Sequence, residues 1–399
     1  MKKVLFVCYG SGHVRMVLPV ARALQASGRA RVQVLGLTTA AAVVREAGLP
    51  LLQVKDFVDA EDAAALAHGE RLLGTLPTVV DPDETRAYLG LCYADLEAEV
   101  GPDQAAQLYA QAGRQAFLPV RLLERVLRRV RPDLLVATNS PRAERAAIVA
   151  ARRLGIPAVC IIDLFAVSEI AWIGEPNYAD RICVLNEHVR DSLLRAGRRP
   201  DEVVVTGNPA FDVLQEPAAA EQGRRLREVR GWQDRRVLLW PVQEEPAVHP
   251  FDGRPGDPSL PGRALQAVAD WTLAQPDAVL CVRAREGQAL PPLPPSDRIV
   301  ATGQEWPLAP LLHAVDTVVT LTSTVGLEGR LVGTRLVQVL GSVFDDAMPL
   351  LRFGLADAAV PLQELGPALD RVTRLARHAV VASAAQATPR VLAEVLRFL

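Results

Sequence analysis

The strongest constraint on this chain is a rhythm: short apolar runs alternate with stretches whose apolar residues recur at helical spacing. The runs fall at 4–9, 32–37, 51–54, 134–137, 158–162, 181–185 and 203–206, with helical segments at 14–26, 40–47, 143–154 and 187–196 among them. An apolar run of ~4 to 8 residues bounded by turn signals reads as a strand covered on both faces. Parallel strands need a crossover between them, and a helix supplies it, so the rhythm predicts βαβ units and a parallel sheet. Gly48-Leu49-Pro50 and Gly155-Ile156-Pro157 punctuate it, each glycine closing a helix and each proline entering the next strand.

After Thr206-Gly207-Asn208-Pro209 the rhythm restarts, with runs at 236–239, 278–283, 299–302, 317–320 and 336–340. The 399 residues also exceed one ordinary core, since domains cluster at ~100 to 200 residues. The expected fold is therefore α/β: two Rossmann-like domains with parallel sheets facing each other across a cleft. The first spans 1–206, the second 207–378, and 379–399 form a C-terminal helix free to pack back on the first domain. Two segments break the pattern. Residues 55–115 carry acidic and alanine-rich helical stretches around a turn at 77–82, a helical insertion that either covers the first domain or shapes an acceptor site. The Pro- and Gly-rich stretch 241–261 reads as a functional lid or a disordered segment.

A net charge of −2 shows no nucleic-acid footprint, and the arginine-rich segment 121–131 keeps apolar residues at helical spacing, as a solvated helix face does. Two lysines precede the first apolar run, but Gly10 cuts it shorter than the ~7 to 15 residues of a secretory segment. No run reaches the ~18 apolar residues that cross a bilayer. Five cysteines, Cys8, Cys92, Cys160, Cys183 and Cys281, are odd in number and scattered, which suits reduced, buried thiols. A cytoplasmic protein is expected, with at most peripheral contact at the inner face of the membrane, because the insertion lacks a basic amphipathic helix.

Two segments are placed to carry chemistry. Tyr9-Gly10-Ser11-Gly12-His13 ends the first strand and opens a helix, where glycines let a ligand approach the backbone and free amides favour an anion. Its spacing is not the G-x-G-x-x-G of dinucleotide sites, because Arg15 stands at the sixth position. Thr322, Ser323 and Thr324 open the helix after the 317–320 run, where hydroxyls meet phosphate oxygens, and Gly326 and Glu328 follow. A carboxylate at Glu328 is placed to accept hydrogen bonds from a ribose. Helix capping by Ser323 with a solvated Glu328 explains the same residues, and turn packing is the plain alternative for His13. Arg283 and Arg285 leave a strand at its carboxyl end, fit for a diphosphate or for surface ion pairs. Asp163, Glu169, Asn139 and Ser140 stand at the rim of the first domain, Trp172 reads as a stacking platform or as packing, and Glu244, Glu245 and His249 lie on the long loop. His68, His188, His313 and His378 fall in helical patterns and read as structural. No cluster has metal-ligand spacing.

Taken in order, Gly10 to His13, Val205 to Asp212 (with Gly207 and Asn208) and Ser323 to Glu328 resemble the GT-B superfamily of nucleotide-sugar enzymes. That superfamily includes glycosyltransferases of bacterial cell-surface polysaccharide synthesis and the UDP-N-acetylglucosamine 2-epimerases. The first turn is similar to the acceptor-side loop of lipid-linked peptidoglycan glycosyltransferases and to the G-x-G-H loop of the UDP-sugar hydrolase of pseudaminic acid synthesis. The second resembles the interdomain hinge of the 2-epimerases, and the third the donor-binding helix start of capsule glycosyltransferases. Two departures count against epimerase chemistry: Trp240 to Pro250 replaces a His-Arg-Arg-Glu-Asn segment, and Gly-Ser-Gly-His replaces a G-T-R-P-E turn.

The resemblance implies a glycosyltransferase using a nucleotide-sugar donor, UDP-linked first of all, and a glycan or lipid-linked acceptor, with no metal or cofactor and no nucleic acid. His13 or Asp163 would be the base. Gly10, Ser11, Gly12, Gly207, Asn208, Arg283, Arg285, Thr322, Ser323, Thr324, Gly326 and Glu328 would bind the nucleotide sugar. A nucleotide-sugar epimerase or hydrolase and a non-catalytic nucleotide-sugar-binding protein are the alternatives.

Overall fold

The computed structural model describes residues 1–74, 81–250, 252–285, 287–303, 305–380 and 386–399, without the side chain of Ser11. The turn expected at 77–82 therefore lies, up to residue 80, outside the described residues. Two compact units emerge, one of Met1–Ala210 with Gln386–Leu399, the other of Phe211–Ala385.

The first unit holds seven strands: β1 Lys2–Tyr9, β2 Ala30–Leu37, β3 Leu51–Leu52, β4 Leu134–Thr138, β5 Ala158–Ile161, β6 Arg181–Val184 and β7 Val203–Val205. They form one sheet in the order β3-β2-β1-β4-β5-β6-β7, and every pairing is parallel. Because successive side chains of β1 point to opposite faces, Val4, Phe6 and Cys8 share one. There they pack against Val14, Val17, Ala21 and Leu24 of the helix Gly10–Ala26 and against Val391 and Val395 of the helix Ala387–Leu396. The expected strand at 51–54 stops after two residues, since Val54 opens a short 3-10 turn, Val54–Phe57. The cause lies thirty residues on. Glu84 captures the amides of Val54 and Lys55 at 3.0 and 2.9 Å, withdrawing them from the ladder.

Helices Ala63–Leu73, Pro82–Val100 and Pro102–Ala112 make up the insertion. Tyr88 of the middle helix is buried with its ring 6.0 Å from that of Tyr9, so the insertion reaches the carboxyl end of β1.

In the second unit β8 Arg236–Pro241, β9 Ala278–Arg283, β10 Ile299–Thr302, β11 Thr317–Thr320, β12 Arg335–Leu340 and β13 Ala358–Pro361 form a parallel sheet. Its order is β10-β9-β8-β11-β12-β13. β13 is absent from the sequence rhythm because it is a four-residue edge strand ending in Pro361, where a missing amide costs no ladder bond. Trp240, Leu265, Val268, Val337 and Leu369 belong to its core. In both sheets the strand order reverses direction, at β1/β4 and at β8/β11, and open α/β sheets bind ligands beyond the carboxyl ends at such points. All five cysteines are buried and free, and among the described residues no helix is long and apolar enough to cross a membrane.

Candidate functional site

At the β1/β4 reversal of the first unit, Gly10 takes a positive φ of 76° and turns the chain directly into the helix Gly10–Ala26. Open space surrounds the position a Cβ would take on Gly12. His13 is half-buried on the first turn of this helix, and its Nδ1 is buried without a hydrogen-bond partner among the described residues.

Beside it stands Glu144, fully buried in the first turn of the helix Ala143–Arg153 that follows β4. Its Oε1 accepts from the Tyr9 amide at 2.6 Å and from the Thr138 hydroxyl at 3.3 Å, and the Ser140 hydroxyl and the residue's own amide also support the carboxylate. Burial pushes this carboxyl above the usual carboxylate range, and the nearby His13 charge and the Tyr9 amide oppose the push. Glu169 is raised in the same way, first by burial and then by the Asp163 charge, with His13 again opposing. Four titratable groups from separate segments therefore converge on one sheet edge.

Asp163 is built into a brace. Its Oδ1 accepts from Asn139 Nδ2 at 2.9 Å and from the Leu164 amide at 2.7 Å, and its own amide donates to Asn139 Oδ1 at 3.0 Å. Asn208 Nδ2 then donates to the Asp163 carbonyl at 2.7 Å. Asn139 and Asn208 are buried, so this web ties the ends of β4, β5 and β7 together. Gly207, at a φ of 83°, has Ala387 Cβ 3.2 Å from where its own Cβ would stand. Trp172 carries the Arg145 guanidinium 4.8 Å above its ring, and the Arg142 guanidinium lies 4.5 Å from the Tyr9 ring.

At the corresponding edge of the second unit a cluster of neutral hydrogen-bonding groups stands with two charged side chains, Glu328 and Arg283. Gln243 Oε1, just past β8, accepts from the Thr320 hydroxyl and the Thr322 amide, both at 3.0 Å, and Thr320 Oγ1 accepts from the Ser323 amide at 3.1 Å. Ser323 caps the helix Thr324–Leu331, its hydroxyl accepting from the Val325 amide at 3.3 Å. Thr324 is exposed and donates to Glu328 Oε1 at 3.2 Å, as residues one turn apart on a helix do. Gly326 serves packing: a Cβ there would stand 2.9 Å from both Leu336 and Thr320. Arg283 is buried, and its Nη1 donates to the carbonyls of Gly303 and Trp306. Burial lowers its proton affinity, opposed by the charges of Glu305 and Glu328. Arg285 is exposed. In the long loop Glu245 is buried and accepts from Ser342 Oγ and the Val343 amide, both at 2.7 Å, and buried His249 faces Asp252 at 2.8 Å. Both side chains hold the loop's shape; Glu244 is exposed.

No protein-family model and no curated protein matches the chain. Solved structures do. The UDP-GlcNAc 2-epimerase of Methanocaldococcus jannaschii matches with a TM-score of 0.59 at 12% identity, over 100% of each chain. The Neisseria meningitidis UDP-GlcNAc 2-epimerase bound to UDP-GlcNAc matches at 0.58 and 12% identity, over 99% of this chain and 100% of that one. The glycotransferase of kitacinnamycin matches at 0.55 and 16% identity, over 100% of this chain and 99% of the other. This chain has the GT-B fold.

Identity this low leaves chemistry to the residues themselves. On the two sheets of this GT-B protein, the structure brings His13 and Asp163 to one edge and Thr322, Ser323, Thr324, Glu328 and Arg283 to the other. Glu144 and Gln243 are the groups that sequence reasoning passed over. The only trace of Glu144 in the sequence is a charge set among the alanines of a helix whose Ala143, Ala146, Ala147, Ala150 and Ala151 are buried.

Proposed function

We propose that this protein is a GT-B-type glycosyltransferase, moving a sugar from a nucleoside-diphosphate donor, UDP-linked first of all, to a glycan or lipid-linked acceptor. Ser323, Thr324 and the helix start grip the diphosphate, Glu328 holds the ribose, and His13 takes the proton of the acceptor hydroxyl. The transfer needs no metal or cofactor in this reading. The site of action is cytoplasmic, with at most peripheral membrane contact, in the synthesis of cell-surface polysaccharide or glycoconjugate.

The observation that carries the reading is the imidazole of His13, half-buried beyond β1 with carboxyls around it, placed as a general base is placed. Transfer asks for one base and a stabilised leaving group. In the segment that replaces the epimerases' His-Arg-Arg-Glu-Asn, Glu245 is spent on Ser342 and the Val343 amide beyond β12 and His249 faces Asp252 of its own loop. A thermal-shift screen with UDP, GDP, CDP, CMP and dTDP tests the donor: at ~100 times Kd the matching nucleotide adds about 2.7 kcal/mol. No stabilisation by any of the five removes the reading.

A second reading, a UDP-sugar epimerase or hydrolase, is supported by the epimerases among the neighbours and by Glu169. Its raised carboxyl beside His13 supplies an acid and a base on one edge. Incubation with UDP-GlcNAc alone, followed for free UDP or a new sugar isomer, separates the two readings.

A further inference from the structure

We infer that Arg142 and Arg145 form a subsite for an oxyanion, carboxylate or phosphate, carried by the acceptor, so that the sugar is delivered to an anionic acceptor. The inference rests on the proposed transfer to an acceptor bound by the first unit. Both arginines are half-buried, Arg142 with its guanidinium 4.5 Å from the Tyr9 ring and Arg145 with its own 4.8 Å from the Trp172 ring. A ring face answers the positive charge but leaves the in-plane N–H donors unused. Neither guanidinium has a carboxylate or carbonyl partner among the described residues, and Arg142 Nε is buried with its donor unmet. Arg236 shows what completes such a contact. Its guanidinium lies 5.3 Å from the Trp271 ring, and its Nε and Nη2 donate to the two carboxylate oxygens of Asp277 at 2.8 and 2.5 Å. At Arg142 and Arg145 the ring is present and the oxyanion is left for a ligand to supply.

Helix stability does not explain the pair. Arg142 caps the helix Ala143–Arg153 and Arg145 lies in its first turn, at the positive end of the helix dipole, where a cation is disfavoured. The Arg142 carbonyl accepts from the Ala146 amide at 2.8 Å and so joins that turn, and side chains three apart there are neighbours. Their rings place them on either side of the β4 end: Tyr9 opens the turn that launches His13, and Trp172 belongs to the short helix Ile170–Ile173. The nearby carboxylates are committed elsewhere. Glu144 holds the Tyr9 amide, Thr138 and Ser140, and Asp163 holds Asn139 and the Leu164 amide. Burial and the Asp163 charge raise Glu169 above the usual carboxylate range. The two guanidiniums remain the uncommitted permanent charges of this edge.

A guanidinium fork matches the paired oxygens of a carboxylate or a phosphate, and a neutral hydroxyl offers it no charge. The oxyanion is a handle and exchanges no bond. In the transfer step the acceptor hydroxyl gives its proton to His13 and its oxygen bonds to the anomeric carbon. The bond from that carbon to the diphosphate oxygen breaks, its electron pair leaving with the diphosphate. Handle and reacting hydroxyl belong to one molecule, so fixing the first orients the second.

The test follows the Nε–Hε resonances of Arg142 and Arg145 by NMR while inorganic phosphate, glucuronate or methyl β-glucoside is added to the full chain. Both resonances should shift and saturate with the anions and stay unmoved with the neutral glycoside; the anion that saturates first tells a phosphate acceptor from a carboxylate one. A response to the glycoside equal to that of the anions, or none to either anion at about 50 mM, overturns the subsite, and this wild-type measurement decides even where a variant fails to fold. With donor and an anionic acceptor supplied, Arg142→Gln and Arg145→Gln should each raise acceptor KM about 10- to 100-fold at unchanged donor KM. Weakened UDP binding with acceptor KM unmoved would assign the arginines to the donor and overturn the inference equally. A protein that binds the anions at these arginines and transfers to no acceptor sinks the transferase reading and keeps the subsite. An enzyme that uses neutral acceptors as well as anionic ones, with silent arginine resonances, does the reverse.

Discussion

The two sheets end in opposite kinds of chemistry. Beyond β1, β4 and β5 the first unit gathers the titratable residues His13, Glu144, Asp163 and Glu169, and burial has raised the carboxyls at 144 and 169. Beyond β8 and β11 the second unit presents Gln243, Thr320, Thr322 and Ser323, which only donate and accept hydrogen bonds. The same α/β frame carries buried titratable groups at this position in one sheet and a cluster of hydrogen-bonding side chains in the other. Proton transfer needs groups whose charge can change near neutral pH, whereas a phosphate is held by donors and dipoles that need not change at all.

Four substitutions press on this contrast, the largest effect first. His13→Ala should lower kcat by about 10²- to 10⁴-fold while UDP affinity in calorimetry stays within twofold. Equal losses of turnover and binding would erase the division of labour, and undiminished turnover would remove the base. Gly326→Ala pushes a methyl against Leu336 and Thr320 and should destabilise by about 1 to 3 kcal/mol in denaturant melts, a packing effect readable without any ligand. Glu328→Ala should weaken UDP binding about 10-fold or more through the lost ribose contact, with the melting curve of the unliganded protein little changed. A gain or no change in affinity would move the nucleotide elsewhere.

The smallest effect concerns another buried carboxyl of the first unit, Glu84. Burial raises Glu84 to about 7, although both its oxygens accept backbone amides. A carboxyl that titrates higher folded than unfolded binds more protons in the native state, so stability falls as pH rises from the unfolded value of 4.5 through about 7. Wild type should therefore lose about 1 to 2 kcal/mol against Glu84→Gln between pH 5 and pH 8 in parallel melts. Parallel curves would show that the two amides cancel the effect of burial on Glu84.

Most of the frame was legible, because a strand buried on both faces must be written as an uninterrupted apolar run. β1, β4, β9 and β11 stand within a residue or two of their apolar runs. Where the reading failed, a distant side chain had intervened or the strand was too short to leave a trace. Val54 and Lys55 leave the sheet for Glu84, and β13 is four residues at an edge. The candidate site was half legible. Gly10 to His13 and Ser323 to Glu328 announce themselves through turn and capping chemistry. Glu144 does not, since a glutamate beside Arg145 in a helix reads as solvated, and only the juxtaposition of β1 and β4 buries it. Nor could Asn139 and Asp163, 24 positions apart, be paired before β4 and β5 were known to be neighbours.

The return of the last helix to the first unit sets an order of events during synthesis. Val391 and Val395 complete a core begun by Val4 and Phe6, so the ribosome must deliver all of Phe211–Ala385 before that core can close. Domains ordinarily mature from the N-terminus onward. Here the amino-terminal half waits, one face uncovered, until its final residues arrive, and the intervening unit is the first able to finish.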